Sequence, residues 1–404
     1  MNNSHLLFGV AAVAAVALGA TSCADGPQIV SLGLDDTYVI PRMQTLRLAP
    51  ALEGAAYRWL LLTPDGEWTV IGQSRDLAFV EIEEGEYQLK FEIVDADNPM
   101  TFTTTVIVVR EDIEYDPYIS RVYEYRPAPG QFVNMIPLYE EGDTEADMIR
   151  KAGESICGAD GSIISLGGFG GYVTFGFDHT VVNVASQADF RIWGNAFADA
   201  ADAIASSGGS AEPGVVMVSA DTNGNGLPDD EWYELRGSED GKPGFLRGYS
   251  ITYRRPAPDH IATPSGSSII DSTYILWTDN TGQSGYMPQT TFHRQSYYPE
   301  WIDAEELTFS ATRLPSNATD VNGDGTLWRL RPFEYGYVDN YPNDDAARNS
   351  FDISDAVDAE GVPVSLPGID FVRVYTGVNQ CCGWIGETST EIARACDLHL
   401  LPTP

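Results

Sequence analysis

Between Gly85 and Asp95 the chain alternates strictly: Tyr87, Leu89, Phe91 and Ile93 share one parity, and Glu86, Gln88, Lys90 and Glu92 share the other. A period of two marks a strand with one buried and one wetted face, and it is incompatible with an amphipathic helix over the same segment. Shorter runs of similar character lie on either side. Tyr57-Arg58-Trp59-Leu60-Leu61-Leu62 is cut off by Thr63-Pro64-Asp65-Gly66, a Pro/Gly β-turn, and Thr101–Val109 adds another Thr/Val-rich strand. The 39 glycines and 24 prolines are spread along all 404 residues, so breaks between short elements are expected throughout. The fold class read from this pattern is all-β.

Charge narrows the partners. There are 59 acidic side chains against 23 basic ones, a formal net charge of −36. Such a chain has too little positive charge to neutralise a run of phosphates, which argues against nucleic acid and against electrostatic docking on anionic lipid. Hydrophobic residues at 43% supply enough apolar surface for packed cores, so the acidity does not imply disorder.

The first residues read as an address. Leu6–Leu18 is apolar and Ala/Val-rich, and Gly19-Ala20-Thr21-Ser22-Cys23 follows. The run is too short to span a bilayer but suits a signal-peptide core. Small residues before a cysteine resemble a bacterial lipobox. That resemblance implies a signal peptide over 1–22, lipidation of Cys23, and a tether over 23–27. The segment before Leu6 carries no Lys or Arg, only His5, and Ala20 stands where a Leu is commoner; a plain secretory signal is the alternative. No later stretch reaches the ~20 apolar residues of a membrane helix.

Four further cysteines, Cys157, Cys381, Cys382 and Cys396, are an even number in an exported chain and suggest disulfides. Adjacent cysteines bridge each other only with strain, so the expected pairing ties Cys381 or Cys382 to Cys157 or Cys396. No CxxC spacing or nearby His pair points to zinc.

The division expected is an immunoglobulin-like sandwich over 28–112, a Pro/Tyr-rich hinge over 113–131, and a larger β-sandwich of jelly-roll type over 132–404. Short helices are expected at Thr144–Ala152 and Ala196–Ala205. On Tyr57-Arg58-Trp59 and Gly85-Glu86-Tyr87, the first unit resembles the PKD-like domains of surface lipoproteins, which implies a spacer. Gly167-Gly168-Phe169-Gly170-Gly171 lacks the Lys-Ser/Thr of a phosphate loop and opens a strand; a close backbone crossing at a sandwich corner is expected there.

The sharpest chemical motif is Asp221-Thr222-Asn223-Gly224-Asn225-Gly226-Leu227-Pro228-Asp229-Asp230-Glu231. Oxygen side chains at Asp221, Asn223 and Asn225, the Leu227 carbonyl, and Asp229, Asp230 or Glu231 can converge on one hard cation, so a structural Ca2+ is expected. Trp232 stands where an EF-hand has its Glu. Asp320-Val321-Asn322-Gly323-Asp324-Gly325 is a second, weaker copy. Catalytic signatures are lacking: beyond the signal segment four scattered histidines, no HExxH, no GxSxG, and no acidic pair singled out among many. Binding without turnover is therefore expected. Aromatic density in predicted loops, at Trp277, Tyr297, Tyr298, Trp301, Trp328, Tyr335, Tyr337 and Trp384, offers flat surfaces for sugar rings or a macrocycle.

Tyr172–His179, Asp189–Phe197, Ala211–Ser219, Glu231–Leu235 and Leu366–Tyr375 together resemble PKD-like-domain surface lipoproteins of gut-dwelling Gram-negative bacteria. The resemblance covers most of residues 115–404. It implies an outer-membrane, lipid-anchored protein that captures a corrinoid (vitamin B12 or an analogue) and passes it to a TonB-dependent transporter. A glycan-binding protein of a polysaccharide-utilisation system and a structural or adhesive surface protein stay open beside it.

Overall fold

The computed structural model describes residues 32–94, 100–198 and 209–402. Cys23, the signal segment and the tether lie outside the described residues, as does most of the Ala196–Ala205 helix expectation. Among the described residues no helix is long and apolar enough to cross a membrane.

The alternation at Gly85–Ile93 places that strand inside a five-stranded sheet, ordered Thr37–Pro41, Met100–Val109, Gly85–Ile93, Tyr57–Leu62 and Trp68–Gly72. Leu89, Phe91 and Ile93 are buried while Glu86 and Gln88 are exposed, as the period requires. A two-stranded ribbon, Leu46–Leu48 with Leu77–Phe79, contributes to the same core. Trp59 is fully buried on its strand against Phe91, ring centroids 4.8 Å apart, and its indole donates to the Arg75 carbonyl. This is the expected sandwich with a tryptophan at its centre.

The hinge expectation needs correction. Arg121–Arg126 is the edge strand of a six-stranded antiparallel sheet, which continues through Tyr172–Val182, Gly368–Thr376, Gly214–Ser219, Tyr233–Leu235 and Ala356–Val357. Tyr125 is buried and donates to the Ser165 carbonyl, so this part of the segment belongs to the larger unit. Its prolines sit outside the strand, which leaves the ladder donors free to pair. Tyr115, earlier in the same segment, is buried with Met43, Val80 and Val182 where the two units meet.

The larger unit is all-β but holds more than one sandwich. The six-stranded sheet shares its core with a three-stranded sheet of Ser350–Phe351, Phe190–Trp193 and Arg394–Asp397. A four-stranded antiparallel sheet, Ser284–Thr290, Ile269–Asp279, Leu246–Arg254 and Glu306–Arg313, encloses a second core rich in tyrosine. One helix, Glu145–Ile156, turns Met148, Ala152 and Ile156 into the first core. Thr144 caps it and Asp147 closes the capping box. Phe197–Ala198, expected to be helical, instead pairs as strand with Gly209–Ser210.

The glycine run is a close crossing. A Cβ on Gly171 would stand 1.9 Å from the Leu166 carbonyl and 2.2 Å from the Ala128 nitrogen, and Gly167 adopts φ +69°. The disulfide expectation is not met: Cys157, Cys381, Cys382 and Cys396 are all free. They sit on separate pieces of architecture: Cys157 caps the helix, Cys396 lies in a core strand, and Cys381 and Cys382 share one loop.

Candidate functional site

Two loops of the same build occur in the larger unit, one after the strand Gly214–Ser219 and one joining Ala318–Asp320 to Trp328–Leu330. In the first, Asp221 Oδ1 accepts from the Gly224 and Asn225 amides at 2.7 and 3.1 Å, and Oδ2 accepts from Gly226 at 3.0 Å. In the second, Asp320 Oδ1 accepts from Gly323 at 3.0 Å and Oδ2 from Gly325 at 2.7 Å. Gly224, Gly226, Gly323 and Gly325 all have φ between +72° and +77°, which glycine adopts without a Cβ clash. The alternating Asx-Gly sequence therefore dictates one backbone form in both places.

In the first loop, hydrogen bonds link several of the residues singled out from the sequence. Asn223 Nδ2 donates to Asp229 at 2.9 Å, and Asn225 Nδ2 donates to both oxygens of Asp229 at 3.1 and 3.0 Å. These amides hold the Asp229 carboxyl below the usual carboxylate range. Asn225 Oδ1 accepts from the Leu227 amide, and Leu227 itself is exposed. Glu231 turns away and accepts from the Tyr233 hydroxyl at 3.1 Å. Asp370, half-buried on the strand Gly368–Thr376 and raised in pKa by desolvation, accepts the Asp221 amide at 2.7 Å and ties the loop to the central sheet.

The second loop forms one wall of an open groove of about 670 Å³. Trp384 donates its indole N–H to the Thr326 carbonyl at 3.2 Å, which pins the ring beside the loop. Phe292 meets Trp384 edge to face, centroids 5.7 Å apart, and the two are 62% and 42% exposed. Asp324, Thr326, Ser265, Ser267 and Ser268 supply its polar lining. Thr326 holds the Asp324 carboxyl below its usual range. Uncovered aromatic faces beside hydroxyls and a charged carboxylate suit a ligand with a flat apolar face and a polar rim.

The other loop aromatics separate by burial. Tyr297 and Tyr298 are wholly enclosed in the second core, their hydroxyls spent on the His293 and Ala304 carbonyls at 3.0 and 2.9 Å. Tyr337 is enclosed too, and its hydroxyl accepts the Glu239 amide at 3.1 Å. Burial pushes the phenols of Tyr297 and Tyr298 up to about 12. These three are core residues and offer no ring face to a ligand. Trp301 is half-buried, stacked on Tyr125 at 6.0 Å. Trp328 is half-buried, its indole donating to the Gly325 carbonyl within the second loop. Trp277 is half-buried in the four-stranded sheet, and Tyr335 is exposed away from the groove lining. Of the eight aromatics singled out from sequence, only Trp384 lines the groove. Phe292 and the Ser265–Ser268 turn were missed because nothing local distinguishes them from ordinary loop residues.

No family model matches this chain, and no curated protein matches it. One solved structure that it matches is described as carbohydrate-binding modules from the β-sandwich superfamily, at 9% identity and a TM-score of 0.15, over 89% of this chain and 94% of that one. A superposition at that level carries no argument about ligand or activity.

Proposed function

We propose that this chain is an exported, lipid-anchored surface protein that captures a corrinoid in the Trp384–Phe292 groove and passes it to a TonB-dependent transporter without chemically changing it. The exposed Trp384–Phe292 pair carries the reading. A corrin presents an apolar face and a rim of carboxamides, which pairs with the two rings and with the hydroxyl and carboxylate groups of Ser265, Ser267, Ser268, Asp324 and Thr326. The segments between Tyr172 and Tyr375 that resemble corrinoid-associated lipoproteins support the same ligand class. The smaller sandwich would act as the spacer.

A glycan is the second reading, favoured by the hydroxyl-rich rim beside a single exposed indole, the pairing a sugar ring needs. Titration with cyanocobalamin and, separately, with neutral polysaccharides decides between them. Corrinoid capture predicts a cobalamin-bearing protein after desalting, lost in Trp384→Ala and Phe292→Ala. Retardation in polysaccharide gels without cobalamin uptake would transfer the groove to glycans. Indifference to both ligands would remove the capture reading.

The Asp221 loop would hold a structural Ca2+ through Asp221, Asn223, Asn225, the Leu227 carbonyl and Asp229, with Glu231 outside the set. EGTA should lower the melting temperature, and Asp221→Ala should do the same. Melting curves unchanged by both would remove the ion from that loop.

A further inference from the structure

Three carboxylates remote in sequence meet inside the larger unit: Glu212 just before the strand Gly214–Ser219, Asp339 in a turn, and Glu391 on the short strand Glu391–Ile392. One oxygen from each lies within 4.8 Å of the others. Asp339 and Glu391 are buried, and Glu212 keeps partial exposure. The arrangement is rigidly held. Asp339 Oδ1 accepts the Asn195 and Ala196 amides at 2.6 and 2.7 Å, and Oδ2 accepts the Glu391 amide at 2.9 Å. Ser389 donates its hydroxyl to Glu391 at 2.9 Å and its amide to Glu212 at 3.5 Å. Among the described residues, no Lys, Arg or His forms an ion pair with any of the three.

A second observation points the same way. Glu387 is 2% exposed and sits close enough for its charge to act on both Glu212 and Glu391. Its Oε1 accepts the Gln131 amide at 2.6 Å, but its Oε2 has no hydrogen-bond partner. The Gln131 Oε1 is likewise buried and unpartnered. This region has a surplus of acceptors and a deficit of donors, which burial makes costly unless a proton or a cation enters.

We propose that Glu212, Asp339 and Glu391 hold a hard divalent cation of the Ca2+ class, separate from the Asx-Gly loops. Ca2+ binds oxygens at roughly 2.3–2.6 Å, so ligands on one ion stand up to about 5 Å apart, the spacing seen here. An all-oxygen donor set selects Ca2+ or Mg2+ over zinc or copper. The partly exposed Glu212 gives the ion its way in. Bound there, it joins the start of a central strand, the Asp339 turn and the short strand Glu391–Ile392, which follows the loop that carries Trp384.

The test counts Ca2+ by calorimetry and metal analysis on the full chain, using a background in which both loops are disabled (Asp221→Asn with Asp320→Asn). That background should still take up Ca2+ stoichiometrically. Adding Glu212→Gln should weaken this uptake by roughly tenfold or more, and Glu212→Gln with Glu391→Gln should abolish it. In EDTA the double Gln variant should melt no lower than the background, because two mutually repelling carboxylates are gone. Should that variant fail to fold, the Glu212→Gln affinity decides alone. A background that binds no Ca2+, or a Glu212→Gln variant that binds it undiminished, overturns the site whatever the groove is found to bind.

Discussion

Arg47, carried by the smaller sandwich, docks its guanidinium on Asp221 of the larger unit: it stands 3.6 Å from the Asp221 carboxylate, donates to the Asp221 carbonyl, and reaches the Thr222 carbonyl through Nε at 3.2 Å. The first Asx-Gly loop is thus also a joint between the two units. Arg47 is partly exposed, so its pairing is worth at most about 1 kcal/mol. Arg47→Ala should leave the melting temperature nearly unchanged and raise amide exchange in residues 221–227. Unaltered exchange there would show that the loop holds its form without the contact.

Exposure and burial of the aromatics make opposite predictions. Tyr298→Ala empties a space in the second core and should cost about 3–5 kcal/mol of stability. Trp384→Ala removes a 42% exposed ring and should cost far less while impairing ligand capture. Chemical denaturation of both variants checks this, and equal losses would contradict the separation.

Gly171 tolerates no side chain, since the clashing atoms are backbone on both sides. Gly171→Ala should destabilise by about 1–3 kcal/mol or prevent soluble expression. Gly66→Ala, in open space at a turn, should be milder, its cost confined to the φ +87° backbone. Urea melts of the pair would rank them, and a stable Gly171→Ala would contradict the crossing.

Two histidines tie stability to neutral pH. His179 lies between Asp178 at 2.7 Å and Asp397 at 2.9 Å, and His399 faces Asp189 at 3.0 Å. Burial opposes charge on both rings, but the carboxylates outweigh it and raise both pKa values above the ordinary 6.5. Stability from a raised histidine is fully present below 6.5 and is lost as pH rises through the folded value. The melting temperature should therefore fall on that limb, and His179→Asn with His399→Asn should flatten it. A limb unchanged in the double variant would assign the loss to other groups.

The acid limb has its own marker. Arg42, through its hydrogen bonds and charge, holds the Glu111 carboxyl down at about 2. A lowered carboxylate contributes stability above its ordinary value near 4.5, and that contribution disappears as pH falls toward 2. Glu111→Gln should be less stable than the parent at pH 6, and the difference should shrink below pH 4. A gap that stays constant with pH would contradict the pairing.

Much of the smaller sandwich could be read directly, because Tyr87 through Ile93 and the buried Trp59 carry a period-two pattern that has one structural solution. The helix start at Thr144 and the glycine crossing were legible for the same local reason. Tyr297, Tyr298 and Tyr337 were not: an aromatic in a loop segment has the same local signature whether a neighbouring sheet covers it or solvent does. The disulfide expectation failed in a similar way, since a count of cysteines says nothing about which elements carry them.

By itself the sequence determined the strand periodicity, the turn chemistry and the identical form of the two Asx-Gly loops, because each depends only on neighbours within a few residues. Tertiary structure alone decided that Arg121–Arg126 closes a sheet, that Phe292 joins Trp384, and that Glu212, Asp339 and Glu391 face one another. Those relations arise when strands remote along the chain pair and pack, and the side chains they bring together carry no mark of the meeting in their own surroundings.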